Sequence, residues 1–198
     1  MKRIIRTLFL ILVLSLPVYL FIARAEKVKV TRIEGTLVFT DEYKPEATVC
    51  IPAAYTDGDG KIVGQYRIKS KSYGSKYFKE RVSLHPSKGL VISSEWTSAN
   101  GFQQHVLVKN GKVRGFKDKR KFRRRALCSD DSKPGSYVII ESTRRMTMNE
   151  FSAEVAKHSN NAVNLDMGRW GYGWIGKKKL SRWTRVYKNW QTNWIVCS

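Results

Sequence analysis

Ser136-Tyr-Val-Ile-Ile-Glu-Ser142, then Thr147-Met-Asn-Glu-Phe-Ser-Ala-Glu-Val-Ala-Lys-His158, then Asn161-Ala-Val-Asn-Leu-Asp166 is the stretch whose reading decides the fold. The first segment is an apolar, β-branched run ended by polar residues, the pattern of a buried strand. The second carries apolar residues at helical spacing behind Thr147 and Glu150, which have the spacing of a capping box. The third is a second short strand that delivers Asp166 into a turn. Strand, helix and strand in this order predict a βαβ unit. If its strands lie parallel in one sheet, the crossover brings both carboxyl ends to the same edge. Open sheets with helical crossovers hold their ligands at that edge. Glu141, Ser142, Thr143, Asn164 and Asp166 are therefore expected to meet there.

Outward from this unit the chain reads as strands. Residues 27–32 and 34–40 alternate or carry β-branched side chains, which predicts a strand or hairpin near Gly35. Residues 47–51, 62–70, 90–94, 105–108 and 122–128 read the same way. Asn110-Gly111 is a tight hairpin signal. Thr56-Asp-Gly-Asp-Gly60 resembles the start of a calcium loop but lacks the downstream ligands, so it is read as a turn. The aromatic tail (Trp183, Tyr187, Trp190, Trp194) closes the sheet as a strand or covers it as a helix. No solenoid repeat or low-complexity linker divides the chain. The expectation is a single α+β domain over residues 26–198, built on a mixed sheet.

Residues 1–25 read as a secretory signal. Lys2, Arg3 and Arg6 precede an apolar run, and Ala23-Arg24-Ala25 is a small-x-small cleavage site. An uncleaved membrane anchor is the other reading, because the run is near the lower length limit for a span. Both place the domain outside the cytoplasm, secreted or periplasmic, or held at the membrane by that segment alone. Export makes disulfides possible. Cys50, Cys128 and Cys197 allow one bridge and one thiol, or three buried reduced side chains, and their spacing matches no zinc pattern. The formal net charge is +21, and +17 without the four basic residues of the leader. The densest runs are residues 117–125 and 177–179. Such a balance favours anionic partners. For an exported protein these are anionic glycans, phosphorylated envelope polymers or lipid headgroups rather than nucleic acid.

Four segments carry a family resemblance. They are Arg124-Arg-Ala-Leu-Cys128, Tyr137-Val-Ile-Ile-Glu141, Met146-Thr-Met-Asn-Glu-Phe151 and Ala162-Val-Asn-Leu-Asp-Met-Gly168. In order and spacing they resemble the phosphodiester glycosidase family, whose enzymes remove a sugar from a phosphodiester. Members show an Arg-x-Ala-Ile/Leu strand and an apolar strand ending in Asp-Gly-Arg. A Met-Thr-Leu-x-Glu-Leu helix start and an Asn-Leu-Asp-Gly-Gly-Gly-Ser loop follow. Arg124, Thr147, Glu150, Asn164, Leu165, Asp166 and Gly168 match that pattern. Glu141 replaces its aspartate, and Ser142 and Thr143 stand where Gly and Arg are expected. Met167, Arg169 and Trp170 fill the glycine loop, and Pro52-Ala53-Ala54 stands where the family has Asn-Gly-Gly.

The resemblance implies hydrolysis of a sugar–phosphodiester or a related glycosidic bond. That chemistry needs a carboxyl group near the anomeric carbon and cationic donors on the phosphate. Asp166 and Glu141 are the candidate catalytic carboxylates, with Arg124 and Arg169 to hold phosphate. Asn164, Ser142 and Thr143 would orient the ligand, Gly168 would allow its close approach, and Trp170 or Trp174 would stack on a sugar ring. Structural roles remain open for each: Asp166 as a turn cap, Arg124 as the ion-pair partner of Glu141, Trp170 as core. His85, His105 and His158 lie apart and read as structural or exposed. No cofactor is implied; Asp166 and Glu141 offer hard oxygen ligands, but no cation motif accompanies them. Two further readings are a non-catalytic module for anionic carbohydrate and a basic adhesive protein.

Overall fold

The computed structural model describes residues 26–167, 173–179 and 192–197. The expected leader, the loop residues Gly168, Arg169 and Trp170, and the tail residues Trp183, Tyr187 and Trp190 lie outside them.

Among the described residues sixteen strands, β1 to β16, and one helix, α1, follow in chain order. They build three sheets. The first has the spatial order β1 (Val28–Ile33), β12 (Tyr137–Ser142), β11 (Arg125–Ser129), β13 (Ala162–Leu165), β9 (Val106–Lys109), β10 (Lys112–Val113). The second runs β15 (Lys178–Lys179), β14 (Trp174–Ile175), β3 (Val49–Pro52), β16 (Trp194–Cys197), β2 (Leu37–Thr40). The third runs β5 (Lys71–Tyr73), β4 (Tyr66–Ile68), β8 (Gly101–Gln103), β6 (Arg81–His85), β7 (Gly89–Ser93).

This corrects the expected α+β domain with a mixed sheet. Every strand pairing among the described residues is antiparallel. Helix α1 (Met148–Val155) has eight residues. The protein is nearly all β. Strands β12 and β13 do run in the same direction, but β11 lies between them and pairs antiparallel with both. The expected βαβ unit is thus split by a strand from earlier in the chain. Its apolar runs misled because a continuous run signals burial on both faces, and parallel pairing is only the commonest cause. Here the cause is layering. Leu127, Tyr137, Ile139, Val163 and Leu165 face Phe39, Ile51, Phe102 and Ile195 of the other sheets in the main core. Ala126, Cys128, Val138, Ile140 and Ala162 share a second core with Met148, Phe151 and Val155 of α1.

Local signals explain the boundaries. Thr147 Oγ1 accepts from the Glu150 amide (3.1 Å) and Glu150 Oε2 accepts from the Thr147 amide (2.7 Å), so the capping box is complete. Asn110 and Gly111 take positive φ (51° and 74°) in the two-residue turn between β9 and β10, as a primed hairpin turn requires. Asp57 Oδ1 accepts from the amides of Asp59 and Lys61, which makes the Asp-Gly segment a turn. The segment near Gly35 is not a hairpin, since β1 and β2 belong to different sheets. Gly35 takes φ 101°, and a Cβ there would lie 2.6 Å from Cys197 Sγ, so the crossing from one sheet to the other needs glycine.

All three cysteines are buried. Cys50 lies opposite Val196 in the β3–β16 ladder, and Cys197 lies opposite Val49. Cross-strand partners share a face and successive residues alternate, so Cys50 and Cys197 point to opposite sides and cannot bridge. Burial pushes the Cys50 thiol up to about 11 and that of Cys128 higher still, which keeps both as protonated, apolar side chains. No helix among the described residues is long and apolar enough to cross a membrane.

Candidate functional site

The alternation of β11 decides what happens to two consecutive arginines. Arg125, in register with Glu141, points into the main core and is fully buried. Its guanidinium donates to Glu141 Oε1 from Nε (3.3 Å) and Nη2 (3.2 Å). Arg124 precedes β11 and turns to the other face. Its Nε donates to the Met146 carbonyl (3.0 Å), Nη2 to the Arg120 carbonyl (3.1 Å), and Nη1 contacts Met148 Sδ (3.5 Å). All sixteen carboxylate side chains of the sequence belong to described residues. None lies within ion-pair distance of Arg124, although the residue is only 6% exposed.

Arg124 lines a cleft of about 390 Å³ with Tyr55, His105, Phe116, Asp118 and Met148. Tyr55 enters from the segment after β3. There Asn193 brackets Ala54, accepting from its amide (2.7 Å) and donating to its carbonyl (3.2 Å). The amide of Asp166 donates to the Ala53 carbonyl (3.0 Å), which ties the end of β13 to the same segment. Asn164 completes the join. Its backbone amide donates to the His105 carbonyl (2.9 Å) and its Nδ2 donates to the Tyr55 hydroxyl oxygen (2.6 Å). Asn164 Oδ1 is buried and has no hydrogen-bond partner among the described residues.

The electrostatics follow from burial. Desolvation, reinforced by the Asp166 charge, holds the Tyr55 hydroxyl well above the usual phenol range, so it stays a proton donor. Burial and the Arg124 charge push His105 below the usual imidazole value. Burial also lowers Arg124, without threatening its charge. Asp118 is occupied by Arg120, whose Nε and Nη2 both donate to it, and this pulls the carboxyl down to about 2. The cleft thus holds a hydroxyl, a neutral-leaning imidazole and a buried guanidinium lacking a carboxylate partner.

The remaining sequence candidates divide between two faces. Asn164 and Arg124 belong to this cleft's surroundings, and Ser142 supports them by accepting from the Arg124 amide at Oγ (2.7 Å). Glu141, Ser142 and Thr143 line a separate cleft of about 360 Å³ with Lys29, Arg123, Met167 and Lys178. Asp166 is 8% exposed and its charge acts on both Tyr55 and Arg125. Glu141 pairs with Arg125, not with Arg124 as the sequence allowed, and also with Lys178 at 3.5 Å. Trp174 donates to the Ala47 carbonyl (2.6 Å) and packs beside Tyr43, in a separate apolar cluster. Gly168, Arg169 and Trp170 lie outside the described residues. His105 and Tyr55 were not singled out as site residues in the sequence. Their signal was position: Tyr55 lies shortly after the strand-like run 47–51, and His105 opens the run 105–108. Among the described residues no three His, Cys, Asp or Glu side chains cluster to hold a metal ion.

No family model matches the sequence, and no curated protein matches it either. Solved structures do. The catalytic domain of N-acetylglucosamine-1-phosphodiester alpha-N-acetylglucosaminidase from zebrafish, auto-inhibited by its pro-peptide, superposes with a TM-score of 0.59. The alignment covers 88% of this chain and 84% of that one at 11% identity. The fold is shared. A hypothetical protein from Synechocystis gives a TM-score of 0.50 at 12% identity, over 87% of this chain and 57% of that one. At such identities the likeness establishes a distant structural relationship.

Proposed function

We propose that the Arg124 cleft binds the phosphate of a sugar phosphodiester, and that the protein is an exported hydrolase of that bond or a related glycosidic bond. The observation that carries this reading is the buried guanidinium without a carboxylate. A buried cation whose contacts are two carbonyls, a thioether and the Phe122 ring, and whose nearest carboxylate, Asp118, is already taken by Arg120, is poorly compensated, and an incoming phosphate supplies the missing charge. The fold shared with the zebrafish phosphodiester glycosidase points the same way.

The surrounding groups suit a sugar. The unpartnered Asn164 Oδ1 accepts from a ring hydroxyl. Tyr55, whose oxygen already accepts from Asn164, has its proton free for the ligand. Asp166, whose charge acts on the Tyr55 hydroxyl at the cleft, is the carboxylate for acid–base work, while Glu141 is held by Arg125 and Lys178. That same observation favours a second reading. Glycosidases ordinarily use two carboxylates, and the engagement of Glu141 by two cations is what a non-catalytic module for anionic carbohydrate would tolerate. Incubation with methyl phosphodiesters of glucose 1-phosphate and N-acetylglucosamine 1-phosphate separates the two. Sugar release that Asp166→Asn lowers by about 10²–10⁴-fold, with affinity kept within about tenfold, supports the hydrolase. Binding without release, shared by both proteins, supports the module.

A further inference from the structure

The second cleft holds a charge imbalance of its own. Glu141 stands in register with Lys29 on β1 and with Arg125 on β11, so the three side chains share one face of the sheet. Lys178 reaches the same carboxylate from β15. Arg123, exposed at the rim, donates from Nη1 to the Ser142 carbonyl (3.0 Å). Four cations therefore stand around Glu141 beside an open cleft of about 360 Å³, and the Asp166 charge acts on Arg125 alongside it. Lys29 and Lys178 lie close enough that contact between them lowers the Lys29 pKa. All sixteen carboxylate side chains belong to described residues, and none besides Glu141 lies within ion-pair distance of Lys29, Arg123 or Lys178. Segments 168–172 and 180–191, which border β14 and β15 in sequence, contain Arg169, Arg182, Arg185 and Lys188 and no acid.

We infer that the cleft of Lys29, Arg123 and Lys178 is a second anion subsite, taking a neighbouring phosphate of the same ligand, so that the substrate is a chain of linked phosphodiesters. Arg123 and Arg124 are consecutive, and they open onto the two clefts, one each. A ligand with repeating phosphates engages both at once, and the second contact is then an intramolecular one. A single sugar phosphodiester satisfies only the first. This inference extends the proposed function, yet each subsite fails separately.

The test uses glycerol phosphodiester oligomers with one to four phosphates, titrated into the purified protein at constant ionic strength. Affinity is expected to rise at least tenfold between one phosphate and the longer chains. Lys29→Gln/Lys178→Gln, both at exposed side chains, is expected to abolish that rise. Lys112→Gln/Lys133→Gln, which removes the same charge from distant surface, is expected to keep it. Equal affinity for all lengths, or a rise that survives Lys29→Gln/Lys178→Gln, overturns the second subsite. A rise lost equally in both double variants reports net charge alone and also overturns it. Arg124→Gln binding every oligomer as well as wild type does would instead overturn the Arg124 site, leaving the second one standing.

Discussion

Arg124 and Arg125 are neighbours in the chain and opposites in the structure. Arg125 is buried in the main core with a matched carboxylate in register on the next strand. Arg124 is nearly as buried, but on the helix face, with carbonyls and a thioether around it and a cleft in front of it. The difference teaches where structure ends and ligand chemistry begins. A buried ion pair is self-contained, and removing one partner is costly because the other charge stays behind. A buried cation without an ion-pair partner is less well compensated, and in the proposed function a ligand phosphate completes it.

The comparison breaks most visibly at Glu141. Glu141→Gln removes the ion-pair partner of the fully buried Arg125, and about 3–5 kcal/mol of stability should be lost, read by urea denaturation. Arg124→Gln removes a cation that no carboxylate balances and forfeits hydrogen bonds to two carbonyls, so about 1–2 kcal/mol is expected. Equal losses from the two substitutions would erase the distinction between the arginines. A smaller effect comes from His105. Its folded-state pKa lies below the ordinary 6.5, so the folded protein binds fewer protons than the unfolded chain. The stability it contributes is full above pH 6.5 and is lost as pH falls through the lowered value. Denaturation midpoints should therefore decline below pH 6.5, and His105→Gln should flatten that part of the decline.

These contrasts also mark what the sequence made legible. The capping box at Thr147 and the Asn110-Gly111 turn depend on local chemistry, and both were readable. The same holds for β12, α1 and β13 as elements. Their pairing was not readable, because β11 enters between β12 and β13 from earlier in the chain and nothing within 136–166 signals it. The α+β class with a mixed sheet was misread for the same reason: continuous apolar runs came from antiparallel strands covered on both faces. Among the site candidates, Arg124, Asn164 and Asp166 came from family-like spacing. The structure joins Asn164 and Asp166 to residues 53–55, where the family-like upstream segment was expected to stand. The division between faces was not legible. It turns on whether Arg124 or Arg125 is in register with Glu141, and a shift of one residue in that pairing would exchange their roles. His105 carried no motif at all, and only its half-buried place between Tyr55, Phe78 and Phe116 brings it forward.

The most direct test of the account is calorimetric titration of methyl N-acetylglucosamine 1-phosphodiester into wild-type protein and Arg124→Gln, at physiological ionic strength, with urea denaturation of both alongside. The account predicts binding by wild type and an affinity lowered at least tenfold in Arg124→Gln, which remains folded. Undiminished binding by Arg124→Gln, or a stability loss as large as that of Glu141→Gln, would contradict it and make Arg124 a structural residue like its neighbour.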